Sequence, residues 1–143
     1  MEFYSNYRYI LVPFFTWLCI QTFKVIWDLV TTKKFNFRRI LGAGGMPSSH
    51  SAVVVVITTM VGRSQGTNSP IFAVSLVFAL IVMYDATGVR REAGKQAHLL
   101  NEIVNTPGLS QVQVKEKLVE ALGHTPIQVL IGALVGFIVG MIF

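Results

Sequence analysis

Charge is what this sequence has least of. Only 13% of its 143 residues are Asp, Glu, Lys or Arg, where a soluble domain carries about a quarter. With 52% hydrophobic residues and a mean hydropathy of +0.58, the composition excludes an ordinary water-soluble globule and indicates a membrane protein. Cysteine is almost missing too: Cys19 stands alone inside an apolar run, so there is no disulfide framework and no cysteine metal motif. No internal repeat or low-complexity tract appears. The first apolar run lacks the small-residue cleavage site of a removable signal peptide and is read as structure. The length suits a single integral membrane domain, 1–143.

Four apolar segments are there instead. They run from about Tyr9 to Val30, with Pro13 as a kink; from Ser48 to Gly62; from Pro70 to Asp85, with helix continuing through Ala86–Leu100; and from Thr125 to Phe143. The expected fold class is therefore all-α, a polytopic membrane helix bundle of about four transmembrane spans plus cytoplasmic helices. Thr106-Pro107-Gly108 breaks the inner helix, and Ser110 can cap a second one over Gln111–Leu122. Lys24 and Asp28 sit four apart near the far end of the first span. They can pair and snorkel to an interface, or Lys24 is a functional intramembrane lysine. Gly132, Gly136 and Gly140 share one face of the fourth span, where another helix can approach closely. Packing within the subunit and a homodimer seam would each explain that stripe.

Basic residues set the orientation. Lys33, Lys34, Arg38 and Arg39 precede the second span, and Arg90, Arg91, Lys95, Lys115 and Lys117 lie between the third and fourth. Nine of the twelve cations thus fall on one side, which the positive-inside rule makes cytoplasmic. Cations beside apolar spans suit anionic lipid head groups, and no nucleic acid partner is expected.

The stretch Gly42-Ala-Gly-Gly-Met-Pro-Ser-Ser-His50-Ser51 opens the second span. Glycines let backbone N–H groups turn towards a ligand, and a helix starting near Ser48 adds the positive end of its dipole, an arrangement suited to an anion. A glycine-rich turn capped by Ser48 or Ser49 is the plainer reading. Three helix ends then bring His50, His124 and Asp85 to the same membrane face, with Arg90, Arg91 and Lys95 nearby. These residue types suit phosphoryl transfer. Cations and oriented amides neutralise phosphate oxygens, one imidazole attacks phosphorus and another protonates the leaving alcohol. Two histidines and an acid lack the compact spacing of known metal motifs, so neither a metal nor any other cofactor is expected. Helix capping and lipid binding would account for the same residues without chemistry.

Gly45-Met-Pro-Ser-Ser-His-Ser-Ala52, Tyr84-Asp-Ala-Thr-Gly-Val-Arg-Arg-Glu-Ala-Gly-Lys-Gln96 and Leu122-Gly-His-Thr-Pro126 closely resemble the divergent branch of the type 2 phosphatidic acid phosphatases. That branch is related to acid phosphatases and vanadium-dependent haloperoxidases. The resemblance spans essentially the whole chain and implies a reduced, four-span relative of a fold usually built from six helices. It implies that His50 is the general acid and that His124 is the nucleophile of a phosphohistidine intermediate. The substrate would be a membrane lipid phosphate of phosphatidate, phosphatidylglycerophosphate or polyprenyl type.

Four departures accompany it, one being that no arginine lies close before His124, which makes Arg90 and Arg91 the candidates for that phosphate clamp. Ser49 replaces the glycine of Pro-Ser-Gly-His, and Ile40 follows Arg39 where the family has proline. Gln128 stands where an aspartate should orient the nucleophile, with Asp85 as its candidate substitute. The phosphate-binding candidates are Lys34, Arg39, Gly45, Ser48, Ser49, Arg90, Arg91 and Lys95. A non-catalytic anionic-lipid-binding or scaffold protein with a vestigial pocket is the alternative function.

Overall fold

The computed structural model describes residues 2–33, 45–105, 118 and 123–143, and the described residues form an all-α membrane bundle. Its helices are α1 (Glu2–Thr32), α2 (Ser49–Gln65), α3 (Pro70–Thr87), α4 (Val89–Asn105) and α5 (Pro126–Ile142). The stretches Ser5–Thr32 and Pro70–Asn105 are long and apolar enough to cross a bilayer. At 17 residues each, α2 and α5 rise only about 25 Å against a hydrocarbon core of ~30 Å. The expected count of four spans therefore depends on these two shorter helices. Val74, Val77, Phe78 and Ile81 of α3 all point outward. A face this apolar suits lipid rather than water.

Three of the helix starts are written in the sequence. Ser48, Ser69 and Thr125 are N-caps whose hydroxyls accept from Ser51, Phe72 and Gln128 backbone N–H groups, and Pro70 and Pro126 occupy the first helical turn. Pro13 is accommodated inside α1, which runs unbroken past it. The helix expected to continue through Asp85 is interrupted at Gly88, which separates α3 from α4. The inner helix expected over Gln111–Leu122 lies outside the described residues except Leu118, whose backbone N–H and carbonyl both bond the Asn101 side chain.

The bundle is organised around α2, which packs against α1, α3 and α5. Val12, Thr16, Ile20 and Lys24 of α1 are buried at four-residue intervals, one face of the helix. Val12 meets Val56 and Met60 of α2, with Tyr9 and Val139 against them. Gly132, Gly136 and Gly140 are buried against α2. A Cβ at each would collide with the carbonyl oxygen of Ser48, Ala52 or Val56 respectively. The stripe is thus used within the chain, and packing inside the subunit is the explanation that holds for these three glycines. At the far end the Arg63 guanidinium donates to the Gly140 carbonyl at 2.9 Å. Close backbone approach makes α2 and α5 a parallel pair with both N-termini at the same end.

Candidate functional site

The loop before α5 is seated on the α3–α4 junction. His124 N–H donates to the Ala86 carbonyl at 2.8 Å, and Gly123, at φ +82°, lies so close to the Arg90–Arg91 backbone that no side chain would fit. Ser48 N–H donates to the Gln128 carbonyl at 3.1 Å, fastening the start of α2 to the first turn of α5. These bonds bring the His50 and His124 rings to 6.3 Å between centroids, tilted by 58°. Both imidazoles can therefore reach one small ligand. His124 is buried, only 3% exposed, whereas His50 lies open at the rim.

His124 is held in a defined tautomer. Thr125 and Gln128 form a capping box: the Thr125 backbone N–H donates to Gln128 Oε1 at 3.0 Å, so the amide oxygen faces this turn. The same oxygen lies 3.3 Å from His124 Nδ1. An oxygen only accepts, so Nδ1 carries the proton and Nε2 presents its lone pair. The acid-replacing residue of the sequence thus does the orienting, as a neutral acceptor. Burial pushes the His124 pKa down. The Gln128 bond and a backbone bond to Gly45 oppose that, while the Lys24 and His50 charges reinforce it. The downward shift favours the uncharged ring.

Cations ring the pair. Lys24, 7% exposed, runs its side chain beside the Gly45 turn, and its charge is felt at both imidazoles. It was missing from the sequence-derived phosphate ligands. The signal that could have found it is its place on the stripe of Val12, Thr16 and Ile20. Arg90 and Asp85 form an ion pair whose two charges are both felt at His50. Asp85 is thus a partner of Arg90 beside His50, and Gln128 is the residue on His124.

The remaining candidates divide. Gly45 adopts φ +78° next to Lys24, and its backbone is felt at His124. Ser48 is fully buried as the α2 cap, accepting from the Ser51 hydroxyl at 2.9 Å. Ser49 is buried beside it. Arg91 contributes its backbone as the seat for Gly123, and Lys95 pairs with Glu92 at 2.7 Å on an exposed face. Lys34 and Arg39 lie outside the described residues. Among the described residues no three His, Cys, Asp or Glu side chains cluster as a metal site.

Fold and site define an all-helical membrane protein with a histidine pair at one end of a parallel helix couple. The chain belongs to the Divergent PAP2 family, whose model matches residues 5–139. It is 39% identical over 133 residues to the uncharacterized membrane protein YuiD of Bacillus subtilis (strain 168), covering 85% of this chain and 84% of that relative. No solved structure matches it.

Proposed function

We propose that this protein is a membrane-embedded phosphatase that hydrolyses a phosphorylated lipid through a histidine nucleophile. The observation that carries the proposal is the pairing of His50 and His124, with His124 fixed as the Nδ1–H tautomer by Gln128. Two parallel helices, α2 and α5, direct the positive ends of their dipoles at the same place, and Lys24 and Arg90 add charge. A phosphate monoester bound there meets His124 Nε2 on phosphorus. As the N–P bond forms and the P–O bond to the lipid breaks, His50 donates its proton to the departing alcohol oxygen. His50 then takes a proton from water, whose oxygen displaces His124 and releases inorganic phosphate. The nine cations that the sequence gathers on one side support a cytoplasmic orientation for this face. Thiol labelling of single cysteines introduced at Arg91 and Ser64, in a Cys19→Ser background, tests that orientation. Labelling of the Arg91 position, and not the Ser64 position, from outside intact cells would reverse it.

Anionic-lipid binding without turnover is the competing reading. It draws on Gln128, which supports the ring but adds no charge to stabilise an imidazolium. Phosphate release from a panel of lipid phosphates by the purified protein separates the two. His50→Ala should lower the rate by ~10²–10⁴-fold, and His124→Ala should abolish it, with both variants folded. Wild type that binds anionic lipid as well as both variants do and releases no phosphate would establish the scaffold reading.

A further inference from the structure

One side of the bundle is left open. While α1 leans on α2, it meets α5 at few places. Two cavities occupy the gap, about 400 Å³ and about 420 Å³, and they share Cys19, Ile20 and Val135 as common walls. They therefore form one groove. Its inner part runs to Leu11 and Phe143; its outer part reaches Phe23, Met46 and Pro47. The walls are apolar throughout: even the Thr16 hydroxyl is spent on the Val12 carbonyl at 2.8 Å.

The mouth of the groove is continuous with the histidine pair. Met46 and Pro47 lie between Gly45, which sits beside Lys24, and Ser48, which caps α2 and donates its N–H to the Gln128 carbonyl. On the α1 side, Phe23 is followed by Lys24, the buried cation beside Gly45. A cationic head site thus passes straight into a hydrocarbon-lined trough. From Ile131 to Phe143 the α5 wall rises about 18 Å, roughly 60% of a ~30 Å hydrocarbon core and long enough for most of an acyl chain.

We infer that the α1–α5 groove holds one hydrocarbon chain of a phosphorylated membrane lipid whose phosphate lies at the histidine pair. This rests on the lipid-phosphate reading above. Leaving the bilayer for the groove gains a chain no hydrophobic free energy, because lipid is as apolar as the wall. The groove acts by alignment, holding the head group in register with His124, so chain length governs turnover.

The test fills the trough. In Val135→Phe, kcat/KM for dipalmitoyl phosphatidate should fall about 10-fold, while dihexanoyl phosphatidate, whose short chains fill little of the trough, should stay within about twofold of wild type. A second readout needs no catalysis. Phosphatidate carrying a diazirine at the end of one acyl chain, in phosphatidylcholine vesicles, should crosslink to Leu11–Ile20 and Val135–Phe143 well above the lipid-facing Val74–Ile81 surface. Val135→Phe should abolish that excess. Equal labelling of groove and α3 surface would overturn the inference even in an active enzyme. Preferential labelling of the groove in a protein that releases no phosphate would retain it while retiring the phosphatase reading.

Discussion

The two sides of α5 solve opposite problems. Towards α2 it has three glycines, and backbone lies on backbone with no room for a methyl group. Towards α1 it presents Ile131, Val135 and Val139, and the helices stand far enough apart to leave a continuous trough. The tight side determines where the helix N-termini sit, and therefore where His50 and His124 meet. The loose side leaves space for something that is not protein. Stability and positioning are concentrated in one contact, and access is left to the other.

The largest expected effect comes from breaking the tight side at its upper end. Gly132→Ala drives a methyl into the Ser48 carbonyl. It should cost about 1–3 kcal/mol in unfolding free energy and, by displacing the α2 cap, most of the activity. Gly140→Ala strains the same interface at the far end and should cost similar stability with far less activity. Equal activity losses in the two would show that the glycines do not position the histidines.

Gln128→Ala comes next. It leaves the Nδ1–H of a buried ring without its acceptor, a penalty of about 1–3 kcal/mol, equivalent to about 5–150-fold in kcat if it falls wholly on the barrier. Gln128→Glu keeps an acceptor on Nδ1 and should retain more activity than Gln128→Ala. The reverse order would remove the orienting role.

A pH titration has a smaller, signed effect. The folded pKa of His124 lies below that of a free imidazole, about 6.5, chiefly through burial. Between those two values the unfolded chain binds the extra proton. Stability in detergent should therefore be complete above pH ~6.5 and fall as the pH drops through the folded value, levelling off below it. His124→Gln should flatten that slope, and an unchanged slope would assign it to another group.

The smallest effect belongs to the loose side. Val135→Ala widens a trough already open to lipid and should change stability by no more than about 0.5 kcal/mol. A loss as large as that of Gly132→Ala would mean that the two faces of α5 are equivalent.

Much of this was legible in the sequence, for identifiable reasons. Ser69-Pro70 and Thr125-Pro126 announce helix starts by local chemistry alone. His50, His124 and Asp85 fall at helix mouths whichever way the helices pack. What depends on packing was not legible. Lys24 and Asp28, four apart near a helix end, suit an interfacial pair equally well; only the burial of α1 on α2 turns Lys24 inward. The glycine stripe looked the same for an internal contact and a dimer seam. Gln128 was legible in part: it lies four residues after His124 and closes a Thr-x-x-Gln capping box. Its carbonyl orientation emerged from the Thr125 bond. The interruption at Gly88 was hidden because its flanks both favour helix.

The glycine stripe also bears on how this sequence can drift. At 132 and 136 the nearest partner atoms are carbonyl oxygens, which every amino acid possesses, while at 140 the Thr59 Cβ stands nearer than the Val56 carbonyl oxygen. The α5 side of the contact is therefore restricted to one letter of the alphabet. The opposing Ser48, which caps α2, and Ala52 within it offer α5 atoms that no substitution removes. A saturation library read out by folded yield should find α5 intolerant at all three glycines, and the facing stretch of α2 more permissive wherever its side chains are not otherwise engaged. One helix carries the constraint for both, so neutral change in this couple should accumulate on α2 first.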